Sequence, residues 1–248
     1  MKFVKIIKAK KFLTFMWVIG FVSVFALGFV VYGAISDKIG GEKNDVPTII
    51  LDPGHGGEDG GAVGIDGIIE KDINLSISLK LRDLLQAAGY KVIMTRETDT
   101  AIYDDDSKTL REKKRSDLYN RAAIIKDNSK EKTIFVSIHQ NKFPNEKYFG
   151  SQIFYSKNHA GSQNLASGIK DSLVGLIQPE NTRETKPADK KIFLLHNAQI
   201  PAVIVECGFL SNENEANKLT KPEYQTQLAF SIYCGISNYF INNSAEKA

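Results

Sequence analysis

The sequence predicts a three-layer α/β/α domain built on a twisted, mostly parallel or mixed sheet of about six strands, and three observations predict it. Short, continuously apolar runs rich in β-branched residues recur, as in Val46 to Leu51, Thr133 to Ile138 and Ala202 to Glu206. Strands covered on both faces read this way. Between such runs lie segments whose apolar residues are three and four apart, the period of a helix with one buried face. Strand, helix and strand then follow one another from the start, which calls for a parallel pair joined by a crossover.

In chain order, Val46 to Leu51 is the first strand. A glycine-dense loop follows, and Ile73, Ile77, Leu81, Leu84 and Leu85 mark a helix that begins near Glu70 and stops at Gly89. Lys91 to Thr95 gives the second strand. From Glu97 to Lys114 the composition turns polar, with Asp104-Asp105-Asp106, and reads as a long surface connection or mobile flap ahead of a helix from Ser116 to Lys126. Thr133 to Ile138 is the third strand, with His139 directly after it, and Ser151 to Tyr155 the fourth. Leu165, Ile169, Leu173 and Ile177 mark another helix. After a polar stretch from Glu180 to Lys191, a short strand is expected at Ile192 to Leu195, the last strand at Ala202 to Glu206, and a closing helix from Pro222 to Phe240.

The N-terminal residues are of another kind. Lys2, Lys5, Lys8, Lys10 and Lys11 precede a stretch from Phe12 to Ser36 that holds no charged residue, and about 20 apolar residues suffice to cross a bilayer. Ala34-Ile35-Ser36 is a poor cleavage site and the apolar run is long for a signal peptide, so residues 1–36 are expected to be an uncleaved membrane anchor, with a cleaved signal segment as the alternative. The lysines place its start in the cytoplasm and the rest of the chain outside. Residues 37–46 read as a linker, 47–242 as the folded domain and 243–248 as a C-terminal tail.

Seven lysines against Asp37 and Glu42 give residues 1–44 a net charge of +5, so of the formal +3 of the whole chain the remainder holds −2. A nearly neutral exported domain argues against nucleic acid as a partner, because binding a phosphate backbone needs a strongly basic surface. The basic clusters Arg111 to Arg115 and Lys186 to Lys191 then read as solvated faces. Cys207 and Cys234 are the two cysteines, too few for a disulfide framework, and the domain must rely on its core.

Chemistry concentrates at strand ends. In open α/β sheets, sites gather beyond the carboxyl ends of the strands, where His55, His139 and Glu206 all fall. The glycines around His55 leave the backbone free to bend and keep space open for a ligand. Two histidines with a carboxylate form a familiar zinc set that leaves a position for water, and Glu70, at the start of the first helix, is placed to complete it. Glu206 would then act as general base. The spacing His55-Gly56-Gly57-Glu58 supports a rival set in which Glu58 replaces Glu70, as in zinc carboxypeptidases. His159 and His196 read as hydrogen-bonded surface residues, and Cys207 as a core side chain.

The segments Leu51-Asp52-Pro53-Gly54-His55-Gly56-Gly57, Glu70-Lys71-Asp72, Thr95-Arg96, Ser137-Ile138-His139-Gln140-Asn141 and Pro201 through Glu206-Cys207-Gly208-Phe209-Leu210-Ser211-Asn212 together resemble the zinc-dependent N-acetylmuramoyl-L-alanine amidases, a family of bacterial cell-wall hydrolases. The resemblance implies that His55, Glu70 and His139 hold Zn2+ and that Glu206 is the catalytic acid/base, which demotes Glu58. It implies a peptidoglycan substrate, cleaved between the lactyl group of muramic acid and the first L-alanine of the stem peptide. With an N-terminal anchor and no wall-binding repeat, the chain most resembles the sporulation amidases. These strip stem peptides so that cortex muramic acid becomes a δ-lactam, and some of them work with an accessory lipoprotein. The competing expectations are a zinc carboxypeptidase and a non-catalytic wall-binding protein of the same fold.

Overall fold

The computed structural model describes residues 46–245. The expected anchor, and the linker up to residue 45, lie outside the described residues. Among the described residues no helix is long and apolar enough to cross a membrane.

Strand β1 (Thr48–Pro53) leads through the glycine loop to helix α1 (Glu70–Ala87), and β2 (Lys91–Met94) returns parallel to β1. Helix α2 (Leu110–Asp127) precedes β3 (Thr133–Asn141), which pairs parallel with β1 on its other edge. Then come β4 (Gln152–Tyr155), α3 (Gly161–Leu176), the two-residue β5 (Lys186–Pro187), a single helical turn α4 (Phe193–Asn197) and β6 (Ala202–Phe209). Helices α5 (Glu213–Leu219) and α6 (Pro222–Ala245) close the described chain. The sheet order is β2-β1-β3-β6-β4-β5. The first four strands in that order are mutually parallel, and β4 runs antiparallel to β6. The expected mixed α/β sheet is therefore present.

Alternation along the central strands divides the core. Ile49, Leu51, Ile134, Val136, Val203 and Val205 pack under α1, α3 and α6. Ile50, Phe135 and Ile204 face the opposite way, towards Ile125 of α2 and Leu194 and Leu195 of α4. Each strand is thus apolar on both faces because each face has its own helical layer. Cys207 lies in the larger cluster, as expected, and both cysteines are free.

Several elements differ from the expectation, β3 among them, which runs through His139 to Asn141. Helix α2 starts at Leu110, well before Ser116, because Thr109 and Glu112 form a capping box: the Glu112 amide donates to Thr109 Oγ1 at 3.2 Å and the Thr109 amide to Glu112 Oε2 at 2.9 Å. The last part of the supposed flap, Leu110 to Lys114, is therefore helix. Ile192 to Leu195 is no strand: its apolar residues enter the turn α4, where Phe193 meets Tyr119 of α2 edge-on with ring centroids 5.1 Å apart. A run this short carries no period to tell the two apart. The fifth strand lies instead at Lys186–Pro187, within the stretch read as a polar loop. The closing helix also continues past Phe240, to Ala245.

Candidate metal centre and active site

Register brings the chemistry together. Pro53 at the end of β1 lies beside Ile138 of β3, and His139 is the direct neighbour of Glu206 on β6. His55 is two residues beyond β1, and Glu70 is the first residue of α1. His55, Glu70 and His139 each offer a donor atom within 4.8 Å of the other two, and the two imidazoles meet edge-on with centroids 5.0 Å apart.

Glu70 is buried and saturated with donors. Its Oε1 receives His139 Nδ1 at 2.9 Å, the Gln140 amide at 3.1 Å and Asn74 Nδ2 at 3.2 Å. Its Oε2 receives the Ala62 amide at 2.8 Å and lies 3.3 Å from His55 Nε2. Burial alone would raise the Glu70 carboxyl, but the hydrogen bonds and charges of His139 and His55 hold it far below the usual carboxylate range. Burial would likewise lower His55, yet Asp59 and Glu70 outweigh it and raise the imidazole to about 9.

The loop reaches this geometry through an unusual backbone. His55 itself adopts φ +63°, a left-handed conformation that costs a residue with a Cβ roughly 1–2 kcal/mol. Two buried guanidiniums hold it there. Arg96 Nε donates to the Pro53 carbonyl at 2.9 Å, and its Nη2 to the Gly54 carbonyl at 3.1 Å. Arg121 Nη1 donates to the Pro53 carbonyl at 3.0 Å and its Nη2 to the His55 carbonyl at 2.8 Å. Arg121 is anchored in turn by Asp52, which is also bonded by Ser137 and Thr95.

Gly54 is required by close approach, since a Cβ there would overlap the His139 ring. At Gly61, with φ +70°, a Cβ would lie 2.5 Å from Glu70 Oε2 and 2.6 Å from His55 Cδ2. Gly54→Ala is expected to cost about 1–3 kcal/mol, the range for overpacking a tight site, measured as a lower midpoint in denaturant unfolding. An unchanged midpoint would mean that the His139 ring is free to move aside.

Glu206 completes the site differently. Its Oε2 is buried and has no hydrogen-bond partner among the described residues. Burial pushes its carboxyl up to about 7, the range in which a carboxyl both takes and returns a proton near neutrality.

The other candidates fall elsewhere. Glu58 is exposed and paired with Lys113 Nζ at 2.6 Å, outside the cluster. His159 accepts the Gly161 amide at 3.0 Å through Nδ1, and His196 is exposed on α4. Sequence reasoning missed Asp59, Asp52 and Arg121. The spacing of four between His55 and Asp59 carried no helical period to flag it, but a basic residue on the inward face of α2 was a signal that could have found Arg121.

The donors suit a zinc ion. Two imidazoles and one carboxylate are a set that zinc commonly takes, and here each of the three residues offers a donor atom within 4.8 Å of the others. Two imidazoles, a carboxylate and a nearby buried acid on this α/β edge are the equipment of a metal-assisted hydrolase. The sequence profile described as N-acetylmuramoyl-L-alanine amidase matches residues 49–238, and the chain belongs to that family of amidases. It is 43% identical over 192 residues to the germination-specific N-acetylmuramoyl-L-alanine amidase of Bacillus subtilis, covering 77% of this chain and 79% of the relative. Among solved structures, the CwlD amidase of Clostridioides difficile, determined in complex with the GerS lipoprotein, superposes with a TM-score of 0.75 at 46% identity over 78% of this chain and 98% of that one. AmiC2 of Nostoc punctiforme, another N-acetylmuramoyl-L-alanine amidase, superposes with a TM-score of 0.67 at 28% identity, over 78% of this chain and 97% of that one.

Proposed function

We propose that this amidase removes stem peptides from spore-cortex peptidoglycan, cutting the amide between the lactyl group of N-acetylmuramic acid and L-alanine, with zinc held by His55, Glu70 and His139. The juxtaposition of that cluster with Glu206, its partner across β3 and β6, carries the reading. Zinc bound there would supply a Lewis acid that polarises the lactyl carbonyl and acidifies water. Glu206 takes the proton of the attacking water and returns it to the alanine nitrogen as the carbon–nitrogen bond breaks. The products are a lactyl carboxylate and a stem peptide with a free amino terminus. The cortex as substrate is supported by the likeness to the germination-specific amidase. An accessory lipoprotein as partner is supported by the solved complex of the Clostridioides relative. The lysine-led apolar segment at residues 1–36 supports an anchor that holds the enzyme at the outer face of the membrane.

Mass spectrometry of the products formed from a defined muropeptide by the full-length chain in detergent, with and without added zinc, tests this. Zinc-dependent release of the intact stem peptide is expected. Release of single amino acids would instead indicate a carboxypeptidase, and wall binding without any product a scaffold.

A further inference from the structure

Both imidazoles of the cluster are crowded by glycine backbone and face Glu70, and His55 has one partner more. The His139 ring packs against the Cα of Gly54, where a side chain would overlap it, so a wall of backbone sets its plane. His55 is partly exposed; Gly61 packs against its ring, where a Cβ would lie 2.6 Å from Cδ2, and the His139 ring meets it edge-on. Its further partner is Asp59. His55 Nδ1 lies 2.8 Å from Asp59 Oδ2, and His55 Nε2 is left facing Glu70.

Asp59 is itself fixed from three sides. Its Oδ1 receives the Gly61 amide at 3.2 Å and the Lys114 ammonium at 2.7 Å. Its backbone closes a tight bridge with Gly56, in which each amide donates to the other's carbonyl, at 3.0 and 3.1 Å. The carboxylate therefore has one oxygen held by the loop and α2 and the other free to receive the imidazole. An imidazole that donates from Nδ1 has its lone pair on Nε2, which is the nitrogen a metal needs.

We propose that Asp59 is a positioning residue for the metal centre: it fixes the tautomer and plane of His55, with Lys114 of α2 holding Asp59 in place. The inference rests on the zinc reading above and adds a residue outside the ligand set. A carboxylate in this place makes the imidazole a better donor and removes the rotation it would otherwise lose on binding metal. Removing such a partner typically weakens metal affinity by about 10–100-fold. Lys114 acts one step further away and is half exposed, so its removal should cost less, a few-fold at most.

The test is zinc affinity of the full-length chain in detergent, measured by competition with a chelator of known affinity. Wild type, Asp59→Ala, Asp59→Asn and His55→Ala are compared, with the melting temperature of each metal-free protein measured alongside. Asp59→Ala is expected to bind zinc about 10–100-fold more weakly while the metal-free protein still unfolds cooperatively, at a somewhat lower melting temperature. Asp59→Asn, which keeps an acceptor and the shape but not the charge, should fall between it and wild type. A second readout is the imidazole proton of His55 in the zinc-loaded protein, expected as a downfield nuclear magnetic resonance signal in wild type and absent in Asp59→Ala. Should Asp59→Ala fail to fold, the near-isosteric Asp59→Asn decides alone. Wild-type zinc affinity in the folded Asp59 variants, with affinity lost in His55→Ala, would overturn this inference and leave the zinc reading standing. Equal affinity in wild type and His55→Ala would overturn the zinc reading itself.

Discussion

Glu206→Gln should lower kcat by about 10²–10⁴ and leave zinc content unchanged, the loss expected when a general base is removed from an intact site. The separation of the two effects follows from position. Glu206 neighbours His139 in register, but it is not one of the three residues whose donor atoms converge. The one oxygen of Glu206 that is buried without a partner is placed to receive a proton. Burial, opposed by the charge of His139, brings its carboxyl to about 7. A bound divalent cation draws that value down, so the acid limb of the wild-type kcat/KM profile should lie below 7 and should vanish in the variant. Steady-state kinetics on the muropeptide, with metal content by atomic absorption, checks both halves. A wild-type rate would remove Glu206 from the proton path, and loss of zinc would make it a ligand.

Arg121→Met should destabilise the fold by about 3–5 kcal/mol, because it leaves Asp52 charged and buried without its counter-ion. Both side chains are almost wholly enclosed. Burial pushes the Asp52 carboxyl up, but the Arg121 charge and the hydroxyls of Ser137 and Thr95 outweigh it and bring the group from 3.8 to about 2. Since the folded value is the lower one, the stabilisation is fully present above the ordinary carboxylate range and is lost as pH falls through about 2. In the variant the burial remains and the guanidinium is gone, so the carboxyl rises and protonation favours the folded state. The stability gap between the two proteins should therefore narrow as pH falls from neutrality towards about 4. Urea unfolding across that range measures it. A gap below about 1 kcal/mol, or one independent of pH, would show that Asp52 keeps an adequate partner without Arg121.

How much of this was legible depends on whether a signal is local. β1, β3 and β6 were readable because each is buried on both faces and therefore apolar throughout. His55, His139 and Glu206 could be grouped because parallel strands bring their carboxyl ends to one edge, a consequence of topology that needs no coordinates. Glu70 was ambiguous against Glu58 from spacing alone. The family resemblance favoured Glu70, and the structure pairs Glu58 with Lys113 instead. The start of α2 was legible but overlooked, since Thr109-Leu110-Arg111-Glu112 is a capping box written out in sequence. Ile192 to Leu195 was not legible: four apolar residues take whichever form lets Leu194 and Leu195 reach the core beneath them. The partnership of Asp52 with Arg121 spans 69 residues and leaves no local trace.

The capture of three successive carbonyls, those of Pro53, Gly54 and His55, by Arg96 and Arg121 bears on the timing of catalysis. Glycine-rich loops ordinarily wander on nanosecond to microsecond scales, and many enzymes order theirs only when substrate arrives. Here the entropy of ordering is met during folding by two buried guanidiniums. The amides of this loop should exchange with solvent deuterium almost as slowly as those of the sheet, and peptide-bound and free enzyme should show the same protection. Turnover would then wait on the glycan strand finding a rigid edge, and not on the enzyme closing around it.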